Sequence, residues 1–250
     1  MLSFLKKIIR QLLFPQQCLG CQKENQILCP ECLKSIRQLS WQVCPLCEKS
    51  VTKNGEICRS CRQQTNVSLD RLLVVADYKD KLLATAIHYL KYKFVKKLAA
   101  PLSQIMIEKL RKSSLPIPDL IIPVPLHPYR LRWRGFNQSE LLAQEIASQL
   151  LPSLEIPLVK NLVNKKRYTT PQRKIKKYRQ RQENVRHSFQ INKDFDWQQI
   201  NRSSQKNLNN LHVLLVDDVS TTGATLFTLA REVKKLQPKS ISAIVLGRQH

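Results

Sequence analysis

The residues with the most chemistry to offer are two neighbouring acids, Asp217 and Asp218, followed at once by Ser220, Thr221, Thr222, Gly223, Ala224 and Thr225. Adjacent carboxylates can accept the hydrogen bonds of a vicinal diol or reach a bound Mg²⁺. A hydroxyl-rich turn that opens a helix does something different: its free backbone N–H groups and the helix dipole favour an anion. Together the acid pair and the turn suit a sugar phosphate such as a ribose 5-phosphate. Two rival readings each lack a part. A Walker B strand also ends in acids, but it requires a G-x4-G-K-S/T loop, and none of the five glycines is followed by lysine. A phosphoacceptor receiver domain opens with paired acids, yet only 32 residues follow Asp218. A buried strand running into a solvated turn is the bland alternative, and it leaves the two acids without a purpose.

Such side chains need a rigid platform. Val213, Leu214, Leu215 and Val216 form a continuous apolar run, the pattern of a strand buried on both faces and therefore of a parallel sheet. In open sheets of that kind ligands bind beyond the carboxyl ends of the strands, where Asp217 and Asp218 fall. From Ala224 onward the spacing is helical. Further strands are expected over 71–78, 119–124, 157–163 and 241–246, and helices over 81–93, 95–112 and 140–151, so the fold class is α/β. The first two helices are expected to carry their lysines outward, leaving His88, Tyr89, Lys91 and Lys93 without a role. In its strand-turn-helix setting the 213–225 stretch closely resembles the 5-phosphoribosyl-1-pyrophosphate (PRPP) motif of type I phosphoribosyltransferases. That resemblance implies their parallel-sheet fold and a PRPP site with Mg²⁺. Asp217 and Asp218 would face the ribose hydroxyls, and Ser220, Thr221, Thr222, Gly223, Ala224 and Thr225 the 5′-phosphate.

Eight cysteines fall in four pairs of one spacing: Cys18-x2-Cys21, Cys29-x2-Cys32, Cys44-x2-Cys47 and Cys58-x2-Cys61. Each pair presents two thiolates to one metal ion, and two pairs complete a tetrahedral shell, so two structural Zn²⁺ ions are expected. Four disulfides are the competing use. A C-x2-C loop is cramped for a structural bridge, however, and nothing marks the chain as secreted. Sequential pairing closes the shorter loops and is the expected one; interleaved pairing is the alternative. The segment has few large apolar residues, so metal binding would supply most of its folding free energy, and no catalysis is assigned to it.

Charge is the third feature. With 42 basic and 18 acidic residues the chain carries a formal +24, which points to polyanionic partners. Residues 1–14 place apolar side chains at 2, 5, 9, 12 and 13 and basic ones at 6, 7 and 10, a short amphipathic helix suited to packing on the protein body or to peripheral contact with anionic lipid. It is too short to span a bilayer and makes a poor signal peptide, so a cytoplasmic location is expected, at the inner face of the membrane if that helix touches lipid. Arg130, Arg132 and Arg134, beside Gly135 in an expected loop after the 119–124 strand, suit a second anionic group, which in a phosphoribosyltransferase would be pyrophosphate. Residues 160–187 hold eleven lysines and arginines against Glu183 alone. Lys165, Lys166, Arg167, Arg173, Lys174, Lys176, Lys177, Arg179 and Arg181, with Tyr168 and Tyr178 for stacking, suit a single-stranded nucleic-acid backbone; a flexible loop whose charge aids solubility is the alternative.

The strand, the passage P-V-P-L-H-x2-R-x-R-x-R-G-F-N-Q-S-x-L-L-A, the PRPP-type motif and the cysteine pairs ahead of both are together similar to the competence protein F (ComF) family, from Cys18 to Arg248. The resemblance implies a phosphoribosyltransferase-like protein that acts in uptake of single-stranded DNA during natural transformation, with a protein partner in the uptake machinery; the alternative is an active phosphoribosyltransferase with an unidentified base or amine as acceptor. It also implies a mobile hood between two strands. The expected organisation is an amphipathic helix over 1–16, a double zinc ribbon over 17–65 and a phosphoribosyltransferase-like domain over 68–250, its basic hood at about 164–188. No catalytic residue is assigned.

Overall fold

A computed structural model describes residues 17–64, 67–166, 188–200 and 208–249. The cysteine segment contributes helix α1 (Pro30–Ser35), the two-residue strands β1 (Gln42–Val43) and β2 (Val51–Thr52), and helix α2 (Arg59–Gln64). Then come β3 (Arg71–Asp77), α3 (Lys81–Tyr92), α4 (Ala99–Lys112), β4 (Leu120–Pro123), α5 (Pro128–Arg134) and α6 (Gln138–Gln149). The chain continues through β5 (Val163–Lys165), β6 (Phe189–Ile191), β7 (His212–Ser220), α7 (Ala224–Lys234) and β8 (Ser240–Arg248). The expected amphipathic helix at the amino terminus lies outside the described residues.

One parallel sheet, in the order β3-β8-β7-β4, carries the fold. Both of its faces are covered, as the unbroken apolar runs require. Along β7, Leu214 and Val216 pack with α3, α4 and α6, whereas Val213 and Leu215 pack with α7, β5 and β6. Strand period two therefore divides a single apolar run between two cores. The α/β class expected from the sequence is the one observed.

Each edge of the sheet is finished differently. Beside β3 the ribbon supplies a substitute partner: the Gln42 side chain accepts from the Val74 N–H at 2.8 Å and donates to the Val74 carbonyl at 3.0 Å, while the Leu39 N–H donates to Val75 O at 2.8 Å. Exposed edge groups are thereby covered. Beside β4, the expected 157–163 strand reduces to a parallel bridge between Ile121 and Leu158, and regular pairing resumes only in the β5-β6 ladder. Among the described residues no helix is long and apolar enough to cross a membrane.

One expected loop is a helix. Pro128 opens α5 behind His127, whose ring accepts from the Tyr129 N–H, and Gly135 closes it at φ +76°. Proline at the first position and a left-handed glycine after the last are the usual punctuation of a helix, here only seven residues long. Asn137 then caps α6, accepting from the Ser139 N–H at 3.1 Å, and its amide donates to Val124 O at 3.0 Å. That bond ties the start of α6 to the carboxyl end of β4.

Candidate functional site

The thiols gather as Cys18, Cys21, Cys29 and Cys32 in one group and Cys44, Cys47, Cys58 and Cys61 in the other, the sulfurs of each lying within 4.8 Å of one another. This grouping is sequential, and none of the eight is in a disulfide. Zinc–sulfur bonds of about 2.3 Å in a tetrahedron place sulfurs about 3.8 Å apart. Cys21 and Cys29 stand 3.6 Å apart, and Cys47 and Cys58 3.9 Å. Donor type, number and spacing therefore fit structural zinc at both sites. A Cβ on Gly20 would lie 2.6 Å from Cys32 Sγ, so the first knuckle closes only around a glycine.

Asp217 and Asp218 line an open cleft of about 210 Å³ at the carboxyl ends of β4 and β7. Although adjacent, they take different partners. Ser139 Oγ donates to Asp217 Oδ1 at 2.7 Å, and the backbone N–H of Asp218 donates to the same oxygen at 2.9 Å. Asp218 Oδ1 meets Lys91 Nζ at 2.9 Å and accepts from the Val219 N–H at 2.6 Å. Burial, reinforced by the neighbouring Asp218 charge, pushes the Asp217 carboxyl up to about 7; the Ser139 bond and Lys91 oppose that shift. Burial alone would lower Lys91, but the two aspartates outweigh it and the net shift is upward.

The turn after β7 places Thr221 and Thr225 in the cleft wall. Thr222 Oγ1 accepts from the Ala224 N–H at 3.3 Å, and Gly223, at φ +75°, allows α7 to start directly behind. A Cβ there would come within 3.0 Å of the Phe227 ring, so the position excludes other residues on both conformational and steric grounds. Among the described residues, Asp218 Oδ2 and Arg134 Nε, both on side chains of the cleft wall, are buried without a hydrogen-bond partner, as is Ser220 Oγ at the end of β7. Orphans of this kind are rare in folded proteins and each asks for an explanation.

The three arginines part company. Arg130 and Arg134 line the cleft, whereas Arg132 is exposed on α5 and does not reach it. A loop would let all three converge; a helix turns successive side chains through about 100° each and sends Arg132 outward. Arg134 is buried, donates to Gln138 Oε1, and lies with its guanidinium 5.6 Å from the centre of the Tyr92 ring. Lys165 was expected on a nucleic-acid face but is buried in the cleft, because β5 points Val163 and Lys165 inward and Asn164 outward. Burial, with help from the Arg130 charge, lowers its ammonium to about 8. Lys166 is exposed. Arg167, Arg173, Lys174, Lys176, Lys177, Arg179 and Arg181 lie outside the described residues.

Sequence reasoning left two contributors without a role. Lys91, read as an outward-facing helix lysine, is the counter-ion of Asp218. Its signal was present, since Leu83, Ile87 and Lys91 form one i, i+4 row whose first two members are fully buried. Ser139 sat inside the arginine motif, but only the fold brings it against an acid 78 residues away.

Residues 137–250 match the phosphoribosyl transferase domain family and residues 9–62 the double zinc ribbon domain family. Over 245 residues the chain is 29% identical to competence protein F of Haemophilus influenzae, covering 94% of this chain and 98% of that one. It is 28% identical to the DNA utilization protein YhgH of Salmonella typhi, covering 82% and 89% respectively. It is also 28% identical to competence protein ComFC of Bacillus subtilis, covering 90% and 86%.

Proposed function

We propose that this chain, a homologue of competence protein F that joins a double zinc ribbon to a phosphoribosyl transferase domain, binds PRPP or a closely related sugar phosphate in the cleft at the end of β7. The observation that carries this reading is a pair of buried, unpartnered polar atoms, on Asp218 and Arg134, in the lining of one cleft, with the unpartnered Ser220 hydroxyl one residue before the turn. An incoming diol would use the free carboxylate oxygen, and a 5′-phosphate the hydroxyl and backbone N–H groups of the 220–225 turn. Lys91, Arg130, Arg134 and Lys165 give the walls more cations than acids, as a ligand carrying a phosphate and a diphosphate requires. Mg²⁺, when bound with PRPP, would neutralise part of the diphosphate charge, and Asp217 and Asp218 are the oxygen donors suited to it. If phosphoribosyl transfer follows, a base or amine attacks the anomeric carbon and pyrophosphate departs. The arginines and Lys165 would then stabilise the charge on that leaving group.

A second role, contact with single-stranded DNA, is favoured by a specific surface as well as by the names of the relatives. Between the ribbon and α4 runs a groove of about 660 Å³ whose walls include Trp41, Lys53, Lys109 and Lys112 and, among the described residues, no acidic side chain. Trp41 is 57% exposed there. An exposed indole beside clustered ammonium groups is the combination on which a base stacks while its phosphate is neutralised. Taken with the formal +24 charge, the groove supports a role in handling incoming DNA.

Calorimetric titration tests both roles. Wild-type protein should bind PRPP with Mg²⁺, and Asp217→Asn with Asp218→Asn should abolish the heat; an unchanged titration in the double variant would remove the cleft from consideration. Affinity for an oligonucleotide should fall steeply with salt and weaken in Trp41→Ala. A flat salt response would dispose of the DNA role while leaving the first intact.

A further inference from the structure

Arg248, at the end of β8, is 4% exposed and lies between two sites that have so far been described apart. Its Nε donates to the Thr221 carbonyl at 3.1 Å, within the turn that follows the acid pair. One of its terminal nitrogens donates to Pro45 O at 3.0 Å and to Glu48 Oε1 at 2.5 Å. Pro45 lies inside the Cys44-x2-Cys47 knuckle and Glu48 directly follows it. The next residue reinforces the link, since the Gln249 N–H donates to Ser220 O at 2.8 Å. A single guanidinium therefore spans the second thiol cluster and the anion turn.

Glu48 ties the knuckle's own geometry to this link. It holds φ +58°, a left-handed conformation that glycine adopts without strain and a glutamate adopts at a cost. Its N–H nevertheless donates to Cys44 O at 2.9 Å, closing the knuckle. Gln22, directly after Cys21, takes the same turn at φ +61°, so the conformation belongs to the knuckle; what is particular to Glu48 is a carboxylate that reaches Arg248. Lysine could not replace the arginine, because a single ammonium lacks the planar fork that serves carbonyls and a carboxylate on opposite sides at once.

We propose that Arg248 is a positioning residue which makes the second Cys₄ knuckle part of the framework of the 220–225 turn, so that loss of metal from that knuckle loosens the turn and weakens phosphate binding. The ligand half of this inference rests on the sugar-phosphate reading of the cleft; the coupling half does not. Metal-free knuckle thiols no longer fix Pro45 and Glu48, two of the groups that hold Arg248, and its bond to the Thr221 carbonyl is no longer braced from that side.

The test uses the full-length, zinc-loaded protein and the variants Arg248→Met, Arg248→Lys and Glu48→Gln. Zinc content, hydrogen exchange of the 220–225 amides, and the dissociation constant for PRPP with Mg²⁺ are read on each. Arg248→Met should keep wild-type zinc content, exchange its turn amides faster, and bind PRPP about 10- to 100-fold more weakly, the range for losing hydrogen bonds to a charged group. Arg248→Lys and Glu48→Gln should fall between it and wild type. Chelation of zinc should speed turn exchange in wild type but add little in Arg248→Met, a non-additivity that a merely structural arginine would not produce. Wild-type turn exchange in Arg248→Met, or chelation acting equally in both proteins, would overturn the coupling. If wild type binds no PRPP while the exchange pattern appears as expected, the ligand reading fails and the coupling stands. Should Arg248→Met lose its fold, Glu48→Gln decides by the same exchange measurement, because that side chain is 30% exposed and its loss leaves the arginine in place.

Discussion

Replacing Lys91 by methionine keeps the length of the side chain and removes its charge, leaving Asp218 buried without a counter-ion. At the observed 2.9 Å the pair attracts by about 6 kcal/mol if the effective dielectric is near 20. Part of that is cancelled by the cost of burying both ions, whose side chains are 18% and 3% exposed. What remains on breaking such a pair is about 3–5 kcal/mol, because one oxygen of Asp218 already lacks a partner and Asp217 stands beside it. Removing both charges together, in Lys91→Met with Asp218→Asn, abolishes the penalty for an isolated ion and should restore stability to within about 1 kcal/mol of wild type. The measurement is urea unfolding of zinc-loaded wild type, both single variants and the double variant at pH 7.5, followed by tryptophan fluorescence. The cycle is read as a coupling energy, in which background shared by the four proteins cancels. Because a single loss of about 3–5 kcal/mol falls to about 1 kcal/mol when both charges go, a coupling of at least about 2 kcal/mol is expected. A value below about 0.5 kcal/mol, the scatter for independent sites, would mean that Lys91 and Asp218 are not a buried pair in solution.

Asp217 makes stability depend on pH in a direction opposite to that of an ordinary salt-bridged carboxylate. Its value rises from 3.8 to about 7 on folding, so the folded state binds the extra proton and stability falls as pH climbs toward 7. Between pH 6 and 7.5 the loss should be on the order of 1 kcal/mol. Asp217→Asn should show a correspondingly flatter urea midpoint across that interval, and identical slopes in the two proteins would refute the burial argument. Elemental analysis of purified protein should give two zinc ions per chain. Substituting serine for Cys18 should halve that number, with Cys44, Cys47, Cys58 and Cys61 still loaded; loss of both ions would point to one shared site instead of two sequential ones.

The parts of this molecule legible in advance are those whose physics is local. A run of β-branched residues and leucines implies a strand covered on both faces, C-x2-C implies a metal knuckle, and acids after a buried strand imply a ligand at a sheet's carboxyl end. Each rule concerns neighbours within about ten residues, and β7, its acids and both thiol groups lie where the rules put them. The 128–135 segment was locally legible as well, since Pro128 and Gly135 punctuate a helix. Three arginines at alternate positions suit a loop that gathers them at one anion, but on a helix the middle one, Arg132, turns away from the cleft.

What could not be read is coupling between distant elements. Lys91 lies 127 positions before Asp218, Ser139 lies 78 before Asp217, and Arg248 follows Pro45 by 203. No composition or periodicity specifies those partners; only the β3-β8-β7-β4 order does, by setting α3 and α6 beside the end of β7 and the ribbon beside the end of β8. A local rule does say something weaker about such residues. A lysine in the same i, i+4 row as a leucine and an isoleucine on the apolar face of a helix is out of place by local energetics alone. Such a mismatch calls for a compensating group, so Lys91 foretold an acid as its partner without saying where in the chain that acid would be.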